Sequence, residues 1–173
     1  MQSKGYIHVY TGNGKGKTTA ALGLALRAAG AGKKIFIAQF VKGRTYSETE
    51  ALKKYLPDIE IKQYGLESFI IDSPTPDDIT AARKGLDEVS AIIEKGSYDV
   101  IILDEANIAT YFNMFTAQEL ICALKRKKIE TEIIITGRNA AAELIELADL
   151  VTEMKEIKHY YTQGVLARKG IEY

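Results

Sequence analysis

The run Thr11-Gly12-Asn13-Gly14-Lys15-Gly16-Lys17-Thr18-Thr19 holds the most specific chemistry in this chain. Glycines at this density let consecutive backbone N–H groups turn toward one anion, and Gly-Lys-Thr at a strand-to-helix junction adds the positive end of a helix. That chemistry is the binding of a nucleoside triphosphate. Gly12, Asn13, Gly14, Lys15, Gly16, Lys17, Thr18 and Thr19 form the candidate nucleotide-binding set, with Lys17 directed at the distal phosphates and the Thr18 hydroxyl at Mg²⁺. The spacing departs from the general G-x-x-x-x-G-K-[ST] pattern. Counting back from Gly16-Lys17-Thr18, Thr11 stands at the first glycine position and Gly12 follows it. The nest is therefore expected to be short, and the triphosphate to sit differently than in ordinary ATPases.

A second motif, Val100-Ile101-Ile102-Leu103-Asp104-Glu105, is an apolar strand ending in two carboxylates. Such a strand usually lies beside the phosphate-loop strand and carries an acid to the magnesium shell. Asp104 and Glu105 thus join Thr18 as candidate metal ligands. Without the loop upstream, the same acids would read equally well as a solvated turn. Gln39 and Lys42, and then Thr136-Gly137-Arg138, also follow strand ends, at the rim where open α/β sheets bind ligands. Arg138 fits a phosphate clamp and a surface ion pair alike. His159, between Lys158 and Tyr160, reads more simply as a surface or packing histidine.

These residues need a scaffold, and the pattern supplies one. Strands are expected at 5–10, 34–40, 59–64, 98–104, 133–136 and 150–154, with one more near 165–167. Helical composition covers 17–29, stopped by Gly30 and Gly32, and a short helix at 48–55 ends before Pro57. Thr75-Pro76-Asp77-Asp78 opens a helix that Gly96 closes, Thr116-Ala117-Gln118-Glu119 is a capping box, and Asn139 is placed to cap 140–147. Strands that alternate with helices predict a mainly parallel sheet covered on both faces, and 98–104, which lacks polar alternation, reads as buried on both sides. The expected fold is a single α/β domain over 1–173 of the P-loop NTPase-like (RecA-like) kind.

Composition narrows the partners. Lys+Arg and Asp+Glu balance at 23 each, so no global field draws the chain to nucleic acid or to a membrane surface. No apolar run approaches the roughly 18 residues of a membrane span, and no signal-peptide h-region opens the chain, which together point to the cytoplasm. The basic run at 125–128 reads as a helix C-terminus offsetting its dipole. The single cysteine, Cys122, lies in an apolar stretch and is expected to be a buried, inert thiol.

In their order and spacing, the motifs resemble the P-loop type of corrinoid adenosyltransferase, which acts on cob(I)alamin and on precursors such as cob(I)yrinic acid a,c-diamide. The resemblance spans nearly the whole chain. It rests on the stretch 10–21, Arg27-Ala28-Ala29-Gly30, Gln39-Phe40-Val41-Lys42-Gly43, Ile102-Leu103-Asp104-Glu105, Ile135-Thr136-Gly137-Arg138, residues 148–154, Lys158-His159 and Gly170-Ile171-Glu172-Tyr173. It implies ATP and a reduced corrinoid as substrates, with Mg²⁺. Cobalt(I) attacks the ribose C5′ and inorganic triphosphate leaves. On this reading Lys17 and Glu105 are the catalytic pair: Glu105 is a magnesium ligand, and Lys17, Lys15 and the metal on Thr18 stabilise the leaving group. Phe69, Arg138 and His159 are the corrinoid-side candidates. Phe69 belongs to residues 65–71, where many relatives carry an aromatic Gly-Phe-Thr-Trp type element, although this chain has no tryptophan. A homodimer and a reductase partner are also implied. The alternatives are a small-molecule kinase, which would release ADP, and a nucleotide-switch ATPase, which would use Glu105 to activate water.

Overall fold

Six short segments of the chain become six parallel strands in the order β3-β2-β4-β5-β1-β6. The computed structural model describes residues 4–44, 46–66, 70 and 73–173. The chain order is β1 (Ile7–Thr11), α1 (Lys17–Gly30), β2 (Ile35–Phe40), α2 (Ser47–Tyr55), β3 (Ile59–Tyr64), α3 (Pro76–Lys95), β4 (Val100–Asp104), α4 (Ala106–Tyr111), α5 (Ala117–Leu124), β5 (Glu132–Thr136), α6 (Ala142–Leu147) and β6 (Leu150–Glu153). This is the α/β, P-loop NTPase-like architecture expected from the alternation. Parallel pairing puts every strand's C-terminal end on one edge, so the loops that follow share a rim.

Helices cover both faces. On one face the small side chains Ala21, Ala25 and Ala28 bring α1 close to Ile35, Ile37, Ile102 and Ile134, with Leu52 of α2 beside them. On the other, Ala82, Leu86, Val89 and Ile93 of α3 pack with α4, α5 and α6 against Phe36, Ile101, Leu103, Ile133 and Ile135. β2 and β4 have no exposed position, which is why neither shows polar alternation.

The helix starts predicted at Thr75 and Thr116 form as expected. Thr75 accepts from the Asp78 amide and Thr116 from the Glu119 amide, with the reciprocal carboxylate bonds made in both boxes. Gly96 ends α3 in the left-handed region, at φ 67°.

Several expectations are corrected. Asn139 does not cap α6. It takes φ 56°, and the helix starts later, with Ala141 in the cap position. No strand forms near 165–167, which has no regular structure and follows a short 3₁₀ turn, Tyr160–Gln163. α4 goes undetected in the sequence because six residues show no period. The basic run lies past α5 instead of in its last turn: Arg126 pairs with Glu94 at 3.3 Å, and Lys127 donates to the carbonyls of Gly5 at 2.8 Å and Thr131 at 3.1 Å. Cys122 is exposed. At about 100° per residue, the burial of Leu120, Ile121 and Leu124 turns position 122 outward. No helix among the described residues is long and apolar enough to cross a membrane.

Candidate active site

β1 runs straight into the glycine loop, and Thr11 remains part of the strand. Its carbonyl accepts from Met154 at 2.8 Å and its hydroxyl accepts from the Ala140 amide at 3.3 Å. This is why the first glycine position is Thr: that residue is paired into the sheet, and the turn begins one residue later. Gly12 (φ 92°) and Gly14 then pass under the end of β6. A Cβ on either would stand 2.5 or 2.6 Å from the Met154 carbonyl oxygen, and the Gly14 amide donates to that oxygen at 2.6 Å. Close backbone approach, more than phosphate access, demands glycine at these two positions.

Gly16 caps α1 at φ 115° and offers no side chain to the helix N-terminus, whose first turn holds no acid. Helix geometry leaves the amides of Lys17, Thr18 and Thr19 without intrahelical acceptors, so the positive end of α1 opens onto the loop. Lys17 is 8% exposed and folds back into the loop, donating to the carbonyls of Gly12 and Gly14 at 2.7 Å each. Burial holds its ammonium below the ordinary lysine value, with Glu105 and Arg138 acting in opposite directions.

Contrary to the expectation from sequence, the strand carrying the acids is not the neighbour of β1; β5 stands between them. Thr18 nonetheless reaches Asp104, because α1 lies across β5 and β4. The Thr18 and Thr136 hydroxyls donate to Asp104 Oδ1 at 2.8 and 2.7 Å, while the Gln39 amide and the Lys42 ammonium donate to Oδ2 at 3.1 and 2.8 Å. The register explains the set: Gln39 lies directly opposite Asp104 across β2 and β4. Asp104 is 1% exposed. Burial pushes its carboxyl up, but the charge and hydrogen bond of Lys42, with the two hydroxyls, outweigh that and hold it below the usual carboxylate range. For Lys42 burial pulls the ammonium down, but the charges of Asp104 and Glu105 and the Asp104 hydrogen bond outweigh it and hold it above the ordinary lysine value. Its Nζ is also 3.4 Å from Thr18 Oγ1, so a lysine ammonium sits at the junction of two residues taken from sequence as metal ligands.

Glu105 takes φ 59° in the one-residue turn between β4 and α4, and its amide donates to Thr136 Oγ1 at 3.0 Å. Burial, reinforced by the charge of Asp104, raises its carboxyl, against Lys42, Lys17 and Arg138. Left-handed backbone recurs around this rim, at Val41 (φ 62°) after β2 and Asn139 (φ 56°) after β5. For a β-branched valine that conformation costs on the order of 1–3 kcal/mol, and such strain gathers at functional sites.

The structure thus brings together the loop 12–19, Asp104 and Glu105. Arg138 is exposed on the same rim, where its charge acts on both Lys17 and Glu105. His159 is half-buried and accepts from the Tyr161 amide at 3.0 Å, capping the 3₁₀ turn. Phe69 lies outside the described residues. Lys15 points to the distal segment, donating to Glu172 and the Ile171 carbonyl. Sequence reasoning missed Asn107, which is fully buried on α4 and ties that helix to the rim by donating to the Gly137 carbonyl at 3.1 Å. Among the described residues no group of three or more His, Cys, Asp or Glu side chains is placed to hold a metal ion alone.

A short glycine loop at the start of α1, with a buried acid strand two places away in a parallel sheet, defines a P-loop nucleotide-binding protein. A family model described as ATP:corrinoid adenosyltransferase BtuR/CobO/CobP matches residues 3–173, and the chain belongs to that family. It is 36% identical to a corrinoid adenosyltransferase of Escherichia coli (strain K12), over 100% of this chain and 88% of that protein. It is 37% identical to a corrinoid adenosyltransferase of Sinorhizobium sp., over 98% and 81%. With the corrinoid adenosyltransferase CobA of Salmonella typhimurium it shares 33% identity over 100% and 88%.

Proposed function

We propose that this chain transfers the 5′-deoxyadenosyl group of ATP to the cobalt of a reduced corrinoid and releases triphosphate. The observation that carries this reading is the glycine loop 12–18, following a Thr11 paired into the sheet, in a chain whose residues 3–173 match the family. The nucleophile is the substrate's own cobalt(I), so the protein need supply no general base. Its work is to hold C5′ toward the corrinoid and to neutralise the departing triphosphate. The α1 amides and Lys17 serve the leaving group, and Lys15 meets it at the loop's outer edge. Arg138 faces the same space, and Phe69 and His159 are the candidates for the corrinoid side.

The donor set suits Mg²⁺, a hard ion held by one or two carboxylates and by substrate phosphates instead of an all-protein cage. Thr18 Oγ1 and the Glu105 carboxylate would hold it. Both Asp104 oxygens already accept two donors each, so Asp104 orients Thr18 and is a weaker candidate for direct ligation. The metal would supply charge neutralisation for the leaving triphosphate. The family resemblance carries a homodimer and a reductase partner into the reading. Exposed Leu150, Val151, Ile157 and Leu166, on and after the edge strand β6, offer a second copy apolar surface. Light scattering of the purified chain tests the dimer.

The assay of the reaction supplies ATP, Mg²⁺ and chemically reduced corrinoid. Triphosphate and a light-sensitive Co–C adduct are expected. ADP or free phosphate without adduct would return the reading to a kinase or switch ATPase, which the family match disfavours. Lys17→Ala should lower turnover by on the order of 100- to 1,000-fold while leaving the melting temperature within a few degrees. Full activity in that variant would show that the loop has another purpose.

A further inference from the structure

The segment after β6 doubles back over the loop. Met154 accepts from the Gly14 amide, and further on Lys15 Nζ donates to Glu172 Oε1 at 2.7 Å, the Ile171 carbonyl at 2.8 Å and the Tyr160 hydroxyl at 3.3 Å. At its far end Ser47 Oγ, in the first turn of α2, donates to the Tyr173 carbonyl at 3.0 Å. The segment therefore lies across the rim from β6, past the loop, to α2.

Two features of the Lys15 contact matter. An ammonium has three hydrogens, and three chain acceptors are within reach of them. The partners also differ in freedom. Glu172 is 17% exposed and is held independently of Lys15: it accepts from the Arg168 amide at 2.8 Å, from the Arg168 guanidinium at 3.4 Å, and from the Tyr160 hydroxyl. Lys15 is 43% exposed and is the partner free to move.

We propose that Glu172 is an internal competitor for the triphosphate, holding the Lys15 ammonium until a polyphosphate takes it and receiving it back as the product leaves. A phosphate oxygen gains Lys15 only in exchange for a chain acceptor, and the Glu172 carboxylate carries the same sign of charge as the incoming polyanion. Because the Tyr160 hydroxyl and Arg168 hold that carboxylate in place without Lys15, the return path for Lys15 survives each turnover. Coupling of this kind is reciprocal: whatever triphosphate binding does to loosen the segment, loosening the segment does to tighten triphosphate. This inference rests on the reading of loop 12–18 as the triphosphate cradle.

The test measures binding of inorganic tripolyphosphate, with Mg²⁺, to the full chain by calorimetry. Glu172→Gln removes the charge and keeps the size. It should tighten Kd about two- to five-fold, the modest range open to an ion pair near the surface. In a Lys15→Ala background the same change should do nothing, because there is no lysine to compete for. Tripolyphosphate should also speed tryptic cleavage after Arg168 and Lys169 in the wild type, and not in Lys15→Ala. An unchanged or weakened Kd in Glu172→Gln, or a gain that persists without Lys15, overturns the proposal. Lys17→Ala separates the two readings. If it abolishes binding while Glu172→Gln has no effect, the cradle stands and the competition falls; if it leaves binding intact, the cradle reading falls and takes the competition with it.

Discussion

Replacing Lys42 by methionine keeps most of the side chain's length and removes the charge opposite a buried carboxylate. Lys42 Nζ and Asp104 Oδ2 are 2.8 Å apart, and the two side chains are 14% and 2% exposed. Stripping one partner from such a pair leaves an uncompensated charge at a cost of about 3–5 kcal/mol. Here Asp104 keeps the Thr18 and Thr136 hydroxyls and the Gln39 amide as donors, which points to the lower end, about 3 kcal/mol. In a chain of this length that corresponds to a melting point lowered by roughly 6–12 °C. Lys42→Met combined with Asp104→Asn removes both charges and should come back to within about 1 kcal/mol of wild type. The pH dependence gives the deficit a signature. In the wild type the folded Asp104 carboxyl lies below its unfolded value, so its contribution is complete above pH about 3.9 and disappears only in stronger acid. In Lys42→Met the lysine's charge and hydrogen bond are gone and burial should outweigh the three remaining donors, raising the carboxyl above its unfolded value, so the folded state binds the proton more tightly and the deficit shrinks as pH falls from 7 to 5. Urea melts followed by circular dichroism at the two pH values read all three forms. A loss below about 1 kcal/mol at pH 7, a deficit that does not change with pH, or a double variant no better than the single one would refute the reasoning.

Gly14→Ala would drive a Cβ to 2.6 Å from the Met154 carbonyl and should cost about 1–3 kcal/mol, whereas Gly23→Ala, with open space around it in α1, should gain about 0.5–1 kcal/mol; paired thermal melts decide. Glu105→Gln should weaken Mg²⁺-dependent ATP binding at least about tenfold and leave metal-free tripolyphosphate binding unchanged in calorimetry; equal loss in both would remove Glu105 from the metal. Because burial and Asp104 raise the Glu105 carboxyl, its ionisation destabilises the fold as pH climbs above about 4.3. The same variant should therefore melt higher than wild type at pH 7 and not at pH 4. Cys122 is exposed and should react with a thiol reagent in the native protein; labelling only after denaturation would place it inside.

The loop, the acid strand and the caps were legible in the sequence because each depends on neighbours within a few positions. Gly16-Lys17-Thr18 at a strand-to-helix junction, Thr75 with Asp78, and Thr116 with Glu119 are local devices, and local chemistry survives in a linear string. The apolar runs at β2, β4 and β5 likewise announced a sheet buried on both faces. Three things needed the fold. Whether an apolar helical position faces in or out depends on which side the sheet takes, as Cys122 shows. The need for glycine at 12 and 14 comes from Met154, a residue some 140 positions away that only β6 pairing delivers. The environment of Asp104 is set by strand order: β2 brings Gln39 and Lys42, β5 brings Thr136, and α1 brings Thr18 across both. The sequence by itself determined that a glycine loop stands at a strand-to-helix junction and that two adjacent acids end a buried strand. Only the tertiary structure decided that one acid is locked by a half-buried lysine and the other is left under-compensated, because the charge a carboxylate presents depends on partners that parallel pairing assembles from distant parts of the chain.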